Sequence, residues 1–148
     1  MKILQKICFV LLLTTFSSVY GGSCFVEPYN VDDCRVKAEQ GDTNSQVVLG
    51  WLYYMGRGVR KDYKEAVKWY RKSAEQGNAE AQTYLGTMYW AGQGVIQDNV
   101  TAHMYFNIAA SSGLENAIKG RYLVEEQMTR SQLEKAQDLA REWMRTHQ

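Results

Sequence analysis

Apolar residues in the middle of the chain recur at the spacing of a helix surface. In NAEAQTYLGTMYWA, the positions of Ala81, Leu85 and Met88 form one apolar stripe along a helix. The segment KEAVKWYRKSAEQG has the same period, with its lysine and arginine side chains mostly on the opposite side. Because Pro28 is the single proline, little interrupts this pattern. The chain is therefore predicted to be all-α.

The helical pattern repeats after 36 residues. Aligning residues 38–73 with residues 74–109 gives thirteen identities, and such a period indicates stacked units of two helices each. The residues that recur are Ala38, Glu39, Gln40, Gly41, Gln46, Leu49, Gly50, Tyr53, Gly56, Gly58, Val59, Asp62 and Ala66. Stacked units need different ends, so we expect an N-terminal segment and capping helix at 22–37. A degenerate third repeat with a C-terminal capping helix is expected at 110–148.

Each copy carries a Gly-x-Gly motif between its two helices, as YYMGRGV and then YWAGQGV. A phosphate-binding loop needs a strand before it, whereas here a helix precedes. Arg57 is replaced by Gln93 in the second copy, so the glycines recur and the charge does not. We expect the glycines to end the first helix, and Asp62 and Asp98 to cap the second.

The pattern A-E-Q-G-[DN]-x-x-[SA]-Q-x-x-L-G-x-x-Y-x-x-G-x-G-V-x-x-D resembles the Sel-1-like repeat, a relative of the tetratricopeptide repeat, over residues 38–113. The resemblance implies an α-solenoid of antiparallel helix pairs that holds other proteins together, and it implies no particular chemistry. Cysteine-rich exported proteins of this family are associated with binding or hydrolysing β-lactams. A cell-wall or β-lactam-binding protein or hydrolase is therefore the alternative, although this chain lacks a cysteine pair within each repeat.

The N-terminus is typical of a secretory signal. Lys2 and Lys6 are followed by the apolar run ICFVLLL and then by small and polar residues. The apolar run is shorter than the roughly 20 residues that span a bilayer. We predict a signal peptide at residues 1–21 that is cleaved, a periplasmic or secreted bacterial location, and no stable membrane span afterwards.

Cleavage would remove Cys8 and leave Cys24 and Cys34. Export to an oxidising compartment favours a disulfide between these two cysteines. Free thiols and a lipidated Cys24 are the alternatives, but Gly21 stands where a lipoprotein signal prefers a leucine-like residue. A redox role for the pair is disfavoured by its long spacing.

The net charge and the residues that could bind a metal or catalyse a reaction disfavour several classes of function. Lys and Arg number 17 and Asp and Glu number 16, so no global excess recruits nucleic acid or anionic lipid. The mature chain has His103 and His147 but no Cys/His cluster with zinc spacing. His103 aligns with Val67 and is expected at a helix edge rather than in a catalytic triad. We predict no catalytic residue, no metal and no cofactor, and hence no enzyme.

A partner is expected on the concave face, which the first helix of each pair usually lines. The candidate protein-binding residues on that face are Gln46, Trp51, Tyr54, Gln82, Met88 and Trp90. Aromatic residues and methionine are common interface anchors, although packing of Trp51 or Trp90 between repeats is the alternative. The groove would be short, so the predicted function is a scaffold module that binds a peptide or the edge of one domain.

Overall fold

A computed structural model of the chain describes residues 24–25 and 29–147, and every regular element in these ranges is a helix. The helices are α1 (Val31–Glu39), α2 (Thr43–Met55), α3 (Tyr63–Glu75), α4 (Ala79–Ala91), α5 (Asn99–Ala110), α6 (Glu115–Glu125) and α7 (Arg130–Thr146). The predicted signal peptide, residues 1–21, lies outside the described residues. Among the described helices, none combines the length and apolarity needed to cross a membrane.

Neighbouring helices in the chain also pack together in space. Helix α2 packs on α3 and α4 packs on α5, while α1 covers the start of the array against α2. At the other end, both α6 and α7 pack against α5. The predicted all-α solenoid of helix pairs is confirmed.

Polar side chains start the helices at the same place in each repeat. Asp42 and Asn78 cap the first helices of the two pairs, accepting from the backbone N–H of Ser45 and Ala81. Asp62 and Asp98 cap the second helices. These bonds satisfy N–H groups that a helix leaves without a partner in its first turn.

The Gly-x-Gly motifs are turns, as the sequence predicts. Gly56 and Gly92 end α2 and α4 with φ angles of 72° and 66°, in the left-handed region that favours glycine. The amide of Gly56 donates to the carbonyl of Leu52 over 2.8 Å. Since this N–H is used within the turn, the motif has the bonding of a helix C-terminus rather than of a phosphate cradle.

Two other glycines set the distance between the helices of each pair. A Cβ atom at Gly50 would lie 2.7 Å from Cε1 of Tyr70, and one at Gly86 would lie 2.9 Å from Cδ1 of Phe106. Any side chain larger than hydrogen would therefore displace a buried aromatic ring. The same contact occurs in both repeats, because Tyr70 and Phe106 are 36 positions apart.

Gly86→Ala should destabilise the fold by about 1–3 kcal/mol, because the added methyl overpacks against Phe106. Without the contact, the higher helix propensity of alanine would stabilise the helix by up to about 1 kcal/mol over glycine. The sign of the measured change in the free energy of unfolding therefore tests the contact. Chemical denaturation measures it. Phe106→Leu in the Gly86→Ala background should recover part of the loss, whereas a more stable Gly86→Ala protein would contradict the packing argument.

Candidate functional site

Gln46 and Gln82, predicted on the binding face, are instead buried between helices. Nε2 of Gln46 donates to the carbonyl of Ala38 over 3.0 Å, and Nε2 of Gln82 donates to that of Ala74 over 3.2 Å. The amide oxygen of Gln46 accepts from Gln76 over 2.9 Å. Their recurrence in the repeat therefore reflects bonding between consecutive helix pairs, and their side chains are not presented to a partner.

Tyr54, Met88 and Trp90 lie around one cavity of about 360 Å³, which we call the concave pocket. It opens on the side of the array formed by the first helices, α2, α4 and α6. Tyr84 and Leu123 complete its walls. Met88 is buried and lines the floor rather than the rim. The concave pocket is thus a largely apolar recess with aromatic walls.

Tyr70 lines the floor of the concave pocket, and its hydroxyl group is buried beneath that floor. The ring of Tyr70 stacks on that of Tyr84, with centroids 4.8 Å apart, and its hydroxyl is buried and makes no hydrogen bond within the described residues. Burial raises the pKa of Tyr70 far above its ordinary value. The hydroxyl group therefore remains neutral, and it lies beneath the surface that a molecule in the pocket would touch.

Gly120 lines the concave pocket on the side of α6. It occupies the position 36 residues after Tyr84, and a Cβ atom there would lie 2.5 Å from Cε1 of Phe106. Helix α6 consequently rests its backbone on the Phe106 ring.

Trp51 lies in a second cavity of about 380 Å³, which we call the N-terminal pocket. Phe25 and Tyr29 form one of its walls, and Tyr84 separates it from the concave pocket by lining both. The Tyr29 ring meets Trp51 edge to face, with centroids 5.5 Å apart. Trp51 is therefore partly covered by the N-terminal segment.

Cys24 and Cys34 hold that segment in place. Cys24 and Cys34 are fully buried and lie at disulfide distance, with Cα atoms 4.7 Å apart. Cys34 lies in the first turn of α1. The pair thus ties Phe25 and Tyr29 to the first helix of the array, beside the N-terminal pocket.

Tyr84 lines both pockets, but it is not among the candidate binding residues predicted from the sequence. Its position differs between copies, Val48 in the first and Tyr84 in the second, so the repeat alignment contained a signal. The stacking on Tyr70 explains why the residue is central: one ring forms a wall of both pockets. Leu123 carried no comparable signal, because the third repeat diverges in this region.

His103, expected at a helix edge, is instead buried, with 1% of its surface exposed. Both ring nitrogens lack a hydrogen bond within the described residues, and Nε2 lies 3.8 Å from Oε2 of Glu125. Burial lowers the pKa of His103, and the nearby Glu125 carboxylate opposes that shift. His103 lies on α5, the helix against which both α6 and α7 pack. Across the described residues, no three His, Cys, Asp or Glu side chains are grouped to hold a metal ion.

Stacked helix pairs with a recess on the first-helix side define an α-solenoid of repeats. A family model, the Sel1 repeat, matches residues 43–78 and 79–114. The crystal structure of a Sel1 repeat protein from Oxalobacter formigenes is similar with a TM-score of 0.61 and 39% identity, over 62% of this chain and 69% of that one. The chain belongs to the Sel1 repeat family.

Two longer proteins are also similar. The crystal structure of c5321, described as a protective antigen of uropathogenic Escherichia coli with an SLR fold, matches with a TM-score of 0.77 and 34% identity over 79% of this chain. The secretory immunoglobulin A-binding protein EsiB of Escherichia coli O6:H1 is 34% identical over 44 residues, 30% of this chain. The chain spans 25% of the length of the first and 9% of the second.

Reduction of the Cys24–Cys34 pair should lower the free energy of unfolding by up to about 3 kcal/mol, since the bridge restricts a short loop in the unfolded chain. It should also change Trp51 fluorescence, because Tyr29 would no longer be held against that ring. Thermal melts with and without reductant, repeated on Trp51→Phe, measure both effects. Cys24→Ser/Cys34→Ser is the control and should not respond to reductant; identical melts of the wild type would contradict the structural role.

Acidification should destabilise the protein through His103. Its folded pKa lies below the unfolded value of about 6.5, so as pH falls through that value the unfolded state takes up the proton first. The cost is at most about 1.4 kcal/mol per pH unit. His103→Val introduces the residue found at Val67 in the first repeat. The melting temperature of this variant should fall less than that of the wild type between about pH 7.5 and about pH 5.5; parallel losses would exclude His103 as the cause.

Proposed function

We propose that the chain is a non-enzymatic protein-interaction module whose concave pocket receives an aromatic or branched apolar side chain from an extended protein segment. The observation that carries this proposal is the concave pocket itself, a recess of about 360 Å³ walled by Tyr54, Tyr84, Trp90 and Leu123. Its size is at the lower end of the range for small-molecule pockets. One large side chain, rather than a whole ligand, matches such a space.

Polar groups around the recess favour a peptide over a purely apolar ligand. Asn116, which lines the recess, carries a side-chain amide that can donate to or accept from a peptide backbone. At the rim, Nε1 of Trp90 donates weakly to Gln127 over 3.4 Å, a bond that a ligand can replace. An apolar anchor surrounded by a few such groups is a common arrangement at the centre of protein interfaces.

The relatives support a role outside the cytoplasm. EsiB is named for binding secretory immunoglobulin A, and c5321 is described as a protective antigen. A cysteine pair at disulfide distance is consistent with an oxidising compartment. We therefore place this interaction module in the periplasm or outside the cell, with residues 1–21 acting as the export signal.

Photocrosslinking from two adjacent positions on α6 tests the site. Leu123 lines the concave pocket and is 53% exposed, whereas its neighbour Tyr122 is 57% exposed and does not line it. A photoreactive residue at 123 should give a discrete protein adduct in the native host. The same probe at 122 is the matched control, and equal adducts from both positions would contradict a pocket-specific partner.

The affinity for the partner identified by crosslinking should depend on Trp90. Trp90→Ala removes a wall of the pocket and should weaken binding by about thirty-fold, the effect of losing an interface anchor worth about 2 kcal/mol. Tyr122→Ala should leave the affinity unchanged. Titration calorimetry with the purified partner measures both, and an unchanged affinity for Trp90→Ala would exclude the concave pocket as the site.

A further inference from the structure

A strongly basic surface lies on the outer side of α3, away from both pockets. Residues 60–72 contain six Lys or Arg and two Asp or Glu, a net charge of +4, in a chain whose total is +1. All six cations are exposed: Arg60, Lys61, Lys64, Lys68, Arg71 and Lys72, which we call the basic face. The nearly balanced total charge conceals this local concentration of cations. The expectation that the chain does not attract anionic lipid or nucleic acid was drawn from the total charge, and it does not hold for this surface.

The second repeat shows that the repeat fold does not require these charges. The matching segment, residues 96–108, has no Lys or Arg and one Asp. There α7 packs over α5, whereas α3 packs against α2 and α4 with its cations exposed. Of the second helices in the two full repeats, the one that carries the cations is therefore α3, which α7 does not cover.

The basic face also differs from an ordinary solvated helix surface. On α7, Arg130 pairs with Glu134, Arg141 with Asp138 and Arg145 with Glu142, so its charges are largely neutralised. On α3, Lys68 pairs with Glu65. Lys64 and Lys72 have no carboxylate partner within the described residues, which leaves their positive charge available to an external anion.

An exposed apolar side chain belongs to the turn that rests against the start of α3. The turn of the second repeat rests on the start of α3, since a Cβ atom at Gly94 would lie 2.5 Å from the carbonyl oxygen of Tyr63 and 3.0 Å from the nitrogen of Lys64. Two residues further along that turn, Ile96 is 90% exposed. Ile96 occupies the position of Arg60 in the first repeat, so the turn of the second repeat has an apolar side chain where the first has a cation.

The geometry points to a peripheral membrane-binding surface, in which the basic face lies on an anionic phospholipid bilayer and Ile96 enters the interfacial region. Lys64, Lys68, Arg71 and Lys72 follow one side of a straight helix at i, i+4, i+7 and i+8, so a plane can contact them all. Clusters of four to eight basic residues are typical of anionic lipid recognition. The combination of basic side chains with an apolar insertion favours a bilayer over an acidic protein or nucleic acid, neither of which offers an acyl region.

Vesicle co-sedimentation of the full chain tests this surface. The wild type should bind vesicles of phosphatidylcholine with phosphatidylglycerol more tightly than vesicles of phosphatidylcholine alone, and salt should weaken the difference. Lys64→Gln/Lys72→Gln should lower partitioning onto the anionic vesicles by about thirty-fold, from the typical contribution of each basic residue. Comparing variants within the same chain cancels any contribution from residues 1–23.

Two controls separate this surface from general electrostatics. Lys135→Gln/Arg145→Gln removes the same charge from α7 and should change partitioning far less than the α3 pair. Ile96→Gln should weaken binding to anionic vesicles by about ten-fold through lost apolar burial. Val36→Gln, at an exposed valine of α1, should have little effect. Thermal melts of each variant establish that the fold is retained.

Three results would overturn the proposal. The first is equal binding to anionic and neutral vesicles. The second is an equal loss from the α3 pair and the α7 pair, which would mean that only total charge matters. The third is binding to soluble polyglutamate or duplex DNA that is as tight as binding to vesicles and indifferent to Ile96→Gln, which would indicate an acidic polymer as the partner. None of these results bears on the concave pocket, whose test is separate.

Discussion

The contact between a helical glycine and an aromatic ring controls the geometry of the array. Gly50 lets the backbone of α2 rest on Tyr70, and Gly86 does the same for α4 and Phe106. This contact sets the distance between the two helices of a pair. That distance fixes the position of the Tyr70 ring, on which Tyr84 of the next repeat stacks. The Tyr70 ring packs against the backbone at Gly50 and also stacks on the ring of Tyr84. The pocket walls are thus an extension of the packing between helix pairs.

Polar bonds reinforce the same period. Arg35 donates to the hydroxyl of Tyr53 over 3.1 Å, and one repeat later Arg71 donates to that of Tyr89 over 2.9 Å. The third repeat breaks this pattern, since Glu125 occupies the position that follows Tyr89 by 36 residues. Glu125 lies instead near the buried His103. Divergence of the last repeat therefore changes buried chemistry as well as shape.

The candidate surfaces arise where the repeats differ. Gly120, at the position of Tyr84 in the second repeat, lets the backbone of α6 rest on Phe106 beside the concave pocket, and the N-terminal segment tied by Cys34 forms a wall of the N-terminal pocket beside Trp51. The basic face is confined to the first repeat because α7 covers the corresponding helix of the second. The concave pocket and the basic face are formed by different residues, since none of the six cations lines that pocket.

The sequence by itself determined the repeating helices, their caps and their turns, because these depend on contacts within about one repeat. Asp62, Gly56 and the 36-residue period are of this kind, and the structure confirms them. Which variable positions face a partner was decided only by the tertiary structure. Gln46 is buried because the preceding helix supplies a carbonyl acceptor, and His103 is buried on α5, the helix against which both α6 and α7 pack. Such burial depends on how helices pack against one another in space, which periodicity and local motifs do not reveal.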